Sequence, residues 1–217
     1  MSHVVRIPSF AYSIEPCEID LRGGERFYVR DLLKAMLISS ANDAAEVLGY
    51  AAGCGSRQNF ASLMNAKASS IGCKRSHFSK ASGLPAVGQY STAYDMALIM
   101  REAYRYPFII NALKTKICSI SSLEGRKVVL KNHNKLLFHG YNEVVGKTGW
   151  TRKAKHCFVG HMECGERELV VSLFGSSNRE RLWEDLKSLY HHQKFEKRSV
   201  ASCNTKEKIQ VCRTKKL

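Results

Sequence analysis

Helical periodicity and strand-prone runs occupy different stretches of this chain, and that segregation limits the folds open to it. Apolar residues recur at helical spacing early on: Leu32, Leu33, Met36 and Leu37, then Ala44, Val47, Leu48 and Ala51. Phe60, Leu63, Met64, Ala68 and Ile71 repeat the pattern, as do Met96, Ile99, Met100 and Ala103. Short β-prone segments follow. Thr115–Ser121 and Arg126–Leu130, with Glu124-Gly125 between them, read as a hairpin. After Val144–Thr151, a second pair spans His156–Met162 and Leu169–Phe174 and turns at Cys164-Gly165-Glu166. A helix over Arg179–His192 closes the body, with Leu182, Trp183, Leu186 and Leu189 or Tyr190 inward. No strict βαβα rhythm appears. The expectation is an α+β domain whose antiparallel sheet is covered by helices.

Local signals set the element ends. A helix over Val29–Ile38 is broken by Ser39-Ser40-Ala41-Asn42-Asp43, residues that divert hydrogen bonds into turns and caps. Asn42 or Asp43 is the expected cap of the helix that follows. Gly53-Cys54-Gly55 ends that helix, Ser56 caps the next, and Gly72 stops it. Residues 73–91 form a long connection, which calls for a functional reason or disorder. Thr92 caps the next helix, and Pro107 lies just past its end. Residues 1–27 read as a loop-rich entry with a short strand at Val4, Val5 and Ile7. Leu136-Leu137-Phe138 is a short separate segment. One domain over 1–192 is expected, followed by a disordered basic tail over 193–217.

The net charge is +15, and residues 194–217 supply +6 of it. Such a field attracts anions in general. Specific nucleic-acid binding is not expected, because zinc spacing, aromatic RNA-binding signatures and a helix-turn-helix pattern are all missing. The eight cysteines contain no CxxC pair, so neither a metal site nor a disulfide framework is expected. No cofactor is expected either. The start shows no export signal and no segment reaches spanning length, so a chain complete as written would be cytoplasmic.

Val144–Thr151 carries the strongest chemical signal. β-Branched residues lead into Gly146-Lys147-Thr148-Gly149-Trp150-Thr151. A glycine in or beside a strand admits another backbone or a ligand. Lys147 is then a fixed cation beside an open strand edge, suited to a substrate with a carboxylate and a peptide backbone. The plainer alternative is a solvated surface strand. A nucleotide P-loop is not expected, because the glycine-rich lead before Gly-Lys-Thr is missing.

Ser40 and Asn42 are two apart at the broken helix. Residues so spaced diverge on a regular helix but converge at an elbow. A hydroxyl and a carboxamide together can pass a proton and orient an amide, and they can equally serve as a helix cap. With Lys147-Thr148-Gly149 in the same chain, a resemblance emerges. The chain resembles the serine-type D-alanyl-D-alanine carboxypeptidases, the low-molecular-mass penicillin-binding proteins related to class A β-lactamases. That family carries S-x-x-K, S-x-N and K-T-G signatures. Ser40-Ala41-Asn42 resembles the second, and Lys147-Thr148-Gly149 the third. The surrounding runs are similar to the family as well: Leu32 to Ala45, His77 to Leu84, Gln89 to Ala97 and Asn132 to Leu137. The resemblance covers roughly residues 4–192 and implies the DD-peptidase/β-lactamase-like transpeptidase fold.

The resemblance also implies acyl transfer on peptidoglycan stem peptides ending in D-Ala-D-Ala. Ser40 would relay a proton to the leaving amine, and Asn42 would hold the substrate amide and the base. Lys147, Thr148, Gly149 and Thr151 would take the carboxylate and the backbone. The departure is the first signature: no serine stands three positions before a lysine in these 217 residues. The expectation is a chain truncated ahead of residue 4, inactive alone and acylated by β-lactams only if the missing serine is supplied. Ser39, Ser79 and Ser91 lie near family-like segments as possible replacement serines, and His77 and His133 invite a Ser–His reading beside the plainer one of cap, packing or loop hydrogen bonding. An intact family member would work in the periplasm or cell envelope. Missing strands would leave an unpaired sheet edge open to self-association.

Overall fold

The computed structural model describes residues 3–14, 17–195 and 209–210. In chain order the elements are β1 (Val4–Arg6), a 3₁₀ turn (Ser9–Ser13), β2 (Arg26–Tyr28), α1 (Val29–Ile38), α2 (Asn42–Ala52) and α3 (Arg57–Ser70). Next come α4 (Ala93–Ala103), α5 (Pro107–Lys114), β3 (Ile117–Ser121), β4 (Lys127–Lys131) and a second 3₁₀ turn (Lys135–His139). The chain continues with β5 (Val144–Thr151), β6 (Lys155–Cys164), β7 (Arg167–Ser176), α6 (Arg179–Phe195) and β8 (Ile209–Gln210). These elements fall into two compact units, Met1–Ser91 with Asn111–His133, and Thr92–Ile110 with Asn134–Leu217.

The first unit is mostly helical. Leu32, Ala35 and Ile38 of α1 and Ala44 and Val47 of α2 are buried, joined by Phe27 of β2 and by Ile120 and Leu130 of the hairpin. The helices form because apolar positions recur on one face, and that burial rather than intrinsic propensity carries most of their stability. β1 pairs antiparallel with β2, and β3 with β4, Ser119 lying opposite Val129. The 73–91 connection has an ordered reason for its length. His77 and Tyr90 exchange backbone hydrogen bonds of 2.9 and 3.0 Å. The Gln89 side chain accepts from the Ser79 and Lys80 N–H groups, both at 3.0 Å, and donates to the Leu84 carbonyl at 2.8 Å.

The second unit is built on the sheet β5-β6-β7-β8, antiparallel except for the β7–β8 pair. Alternation sorts its side chains. Phe158 and Met162 of β6 and Val171 and Leu173 of β7 pack with Leu182, Trp183, Leu186 and Tyr190 of α6. His161 points to the other face, where the Tyr104 ring just past α4 stacks on it with centroids 3.7 Å apart.

One expectation needs correction. The cap of α2 is neither Asn42 nor Asp43 but Ala41, with no side-chain cap bond. Pro107 does more than follow a helix; it opens α5, where its missing N–H costs nothing in the first turn. β2 and β8 had no counterpart in the sequence reading. Of the expected disordered tail, residues 196–208 and 211–217 lie outside the described residues.

Candidate active site

The first unit holds the polar elbow. The Ser39 and Ala41 N–H groups both return to the Ala35 carbonyl, at 3.1 and 3.2 Å. Ser40 sits between them in a left-handed conformation with φ +59°. The Asn42 N–H donates to the Cys17 carbonyl at 2.7 Å, tying the elbow to the incoming loop. Both Ser40 and Asn42 keep partial solvent access. A non-glycine residue in the left-handed region costs about 1 kcal/mol or more, and such positions concentrate at functional sites.

Asp43 anchors this elbow from below. It is 1% exposed, and its carboxylate accepts from the Ile19 and Leu21 N–H groups at 3.1 Å each and from the Ala44 N–H at 2.8 Å. Burial pushes its pKa up, while the three backbone donors oppose that rise. Arg126 holds the same loop from the β4 side, donating to the Ile19 carbonyl at 3.3 Å. Its fork makes two 2.6 Å bonds to Glu25, whose pKa is lowered chiefly by them. Beside Ser39 opens a cavity of about 490 Å³, bounded by Cys17–Asp20 and by Arg126, Lys131 and His133.

Of the substitute nucleophiles, Ser39 and Ser91 have hydroxyls hydrogen-bonded within the fold. The Ser39 hydroxyl accepts from the Lys131 N–H at 3.1 Å and approaches its carbonyl at 3.4 Å. Ser91 pairs with Ser76 at 2.8 Å. The His77 ring reaches the Gly88 carbonyl at 3.1 Å through Nδ1. Ser79 lines a small cavity of about 90 Å³ with Glu46, Arg57 and Ser82.

The second unit holds the strand edge. Among the described residues β5 pairs on one side only, with β6. Lys147, Gly149 and Thr151 share one face and Thr148 and Trp150 the other. Lys147 is half-buried and its Nζ donates to the Thr148 carbonyl at 3.1 Å. Thr151 Oγ1 accepts from the Ala154 N–H at 2.9 Å, which sets the β5–β6 turn and leaves the hydroxyl proton able to donate.

The two glycines here have different causes. A Cβ on Gly146 would lie 2.4 Å from the Val159 carbonyl oxygen and 2.5 Å from the Phe158 ring, so the fold itself demands glycine. Gly149 has no positive φ, and a Cβ there would meet nothing nearer than Cys157 Cβ at 4.0 Å. Internal packing does not explain Gly149. Its bare backbone lies on an edge that another chain can approach.

Serine and carboxamide at an interrupted helix pair, and Lys-Thr-Gly on the edge of an antiparallel sheet between helices, define the DD-peptidase/β-lactamase-like transpeptidase fold. The comparisons agree. The peptidase S11 model, described as D-alanyl-D-alanine carboxypeptidase, matches residues 1–178. D-alanyl-D-alanine carboxypeptidase DacF of Bacillus subtilis is 34% identical over 82% of this chain and 45% of its own length. DacA of Escherichia coli is 34% identical over 71% of this chain and 38% of its own. The crystal structure of a D-alanyl-D-alanine carboxypeptidase from Mycobacterium tuberculosis superposes with a TM-score of 0.82 at 28% identity, over 94% of this chain and 78% of that one. The chain belongs to the D-alanyl-D-alanine carboxypeptidase family. It spans about half the length, or less, of these two curated relatives.

Proposed function

We propose that this chain supplies the substrate-holding part of a D-Ala-D-Ala carboxypeptidase acting on peptidoglycan stem peptides in the cell envelope. Lys147 and Thr148 take the terminal carboxylate. The bare backbone at Gly149 lets the peptide lie against β5 as an added strand. Thr151 adds a donor to that peptide. Ser40 relays a proton to the departing D-alanine, and Asn42 orients the scissile amide. The observation that carries this reading is Gly149, a glycine that neither backbone angle nor packing requires, beside the Lys147 cation.

These 217 residues contain no S-x-x-K, so we assign them no turnover by themselves. Covalent catalysis needs the serine that forms the acyl-enzyme. Losing even one oxyanion donor costs about 10²–10³ in rate. The same missing signature favours a second reading, a peptide- or protein-binding module without catalysis. No cofactor or metal enters either reading.

The test has two arms. The 217-residue chain is expected to release no D-alanine from a D-Ala-D-Ala peptide and to form no β-lactam adduct. Turnover, or an adduct mapped to a serine, overturns the inactivity. The same peptide should bind saturably, and Lys147→Ala should weaken binding about ten-fold or more, the scale of one charge-assisted contact. Absence of saturable binding overturns the peptide reading itself.

A further inference from the structure

Charge is sorted along the sheet of the second unit. Glu143, Glu163 and Glu168 gather with Arg167 at one end, where Val144 lies opposite Met162 and Glu163 opposite Glu168. The other end is the β5–β6 turn, which carries Arg152, Lys153 and Lys155 and no acid. All three cations are exposed, and none forms an ion pair among the described residues. Trp150, 56% exposed, stands at the base of this turn, its ring 6.1 Å from that of His156.

Lys155 adds a second signal. It lies opposite Thr151 and has φ +59°, the left-handed position after a short hairpin turn where glycine is the usual residue. The chain keeps a lysine at this left-handed position, and such positions concentrate at functional sites.

We propose that the Arg152–Lys155 turn is a subsite for free carboxylates upstream of the scissile end, so that the chain selects acidic over amidated peptides. This rests on the peptide reading above. A peptide pairing antiparallel to β5 with its carboxyl end at Lys147 runs back toward Thr151 and the turn. Strands advance about 3.4 Å per residue. The third to fifth residues from the carboxyl end therefore lie over Gly149 to Thr151, within reach of the long cationic side chains. Trp150 offers those residues an apolar shelf on the same strand.

The experiment uses two pentapeptides ending in D-Ala-D-Ala, identical except that two upstream carboxylates are free in one and amidated in the other. Binding to the 217-residue chain is measured by calorimetry at low and high salt. The acidic peptide should bind about ten-fold tighter at low salt, and the ratio should shrink as screening grows. A combined Arg152→Ser, Lys153→Ser and Lys155→Gly variant should bring the two peptides to parity by weakening the acidic one alone. Lys155→Gly by itself should melt no lower than the parent while losing part of the preference, which a merely structural role does not predict. Equal affinities for the parent chain, or a preference that survives the combined variant, overturns the subsite. If neither peptide binds, the peptide reading falls and this subsite falls with it.

Discussion

Gly146→Ala is expected to destabilise the second unit by about 3 kcal/mol or more, whereas Gly149→Ala leaves its melting unchanged and cuts peptide binding by about ten-fold or more. Gly146 and Gly160 face each other across β5 and β6, and the Phe158 ring lies against both. A methyl at Gly146 meets backbone as well as ring, the Val159 carbonyl oxygen at 2.4 Å and Gly160 Cα at 2.6 Å, so no rotamer change relieves it. The strand must shift, and β5 carries Lys147 and Thr148 with it. At Gly149 the same methyl has ordinary room inside the protein. It stands on the sheet face beside Cys157, next to the open edge, where it crowds the side chains of a paired peptide. Thermal melting and peptide titration of the two variants check this. Equal melting for both, or full binding by Gly149→Ala, contradicts the division of roles.

Asp43→Ala should rank beside it, costing about 3 kcal/mol in the first unit. The change strands the Ile19 and Leu21 N–H groups, which belong to buried residues, and a buried unsatisfied donor costs about 1–3 kcal/mol. Asp43→Asn keeps an acceptor oxygen and should cost less. It also exposes a pH signature. Burial raises the folded pKa of Asp43 above the ordinary aspartate value of 3.8. The fold then binds the proton more tightly than the unfolded chain. That contribution is complete below the unfolded pKa and fades as pH climbs through the folded one. The stability of Asp43→Asn relative to the parent should therefore improve from pH 3 upward until the folded pKa is passed. Glu25 runs the other way: its depressed pKa contributes stability above about 4.5 that is lost on acidification. Denaturant melts of parent, Asp43→Asn and Glu25→Gln across this range separate the two limbs.

What the residues alone made legible was local. The α1 stripe ends at Ile38 because the Ser39–Asp43 cluster breaks it, and both the stripe and its end were readable. Ser56 and Thr92 cap their helices through bonds to residues three positions on, at 3.2 and 3.1 Å. The hairpin β3–β4 and the triplet β5–β7 followed from short β-prone runs with turn residues between. The family signatures brought Ser40, Asn42 and Lys147 into view as candidates.

What escaped was set by distant partners. Asp43 reads as a cap, yet its acceptors serve Ile19 and Leu21. Glu25 and Arg126 meet across 101 residues of sequence. β2 is three residues long and exists because β1 pairs with it. α5 is too short to announce itself by periodicity. Gly146 and Gly149 look alike in sequence, and only the neighbours of their absent side chains tell them apart.

The backbone twist at Ser40 gives the geneticist an unusually clean probe. Ser40→Gly fits φ +59° at least as well as serine, so the hinge is preserved and even relaxed while the hydroxyl disappears. A variant that melts like the parent but handles peptide differently would pin the defect on one oxygen atom, free of the shape changes that usually accompany substitutions at such bends.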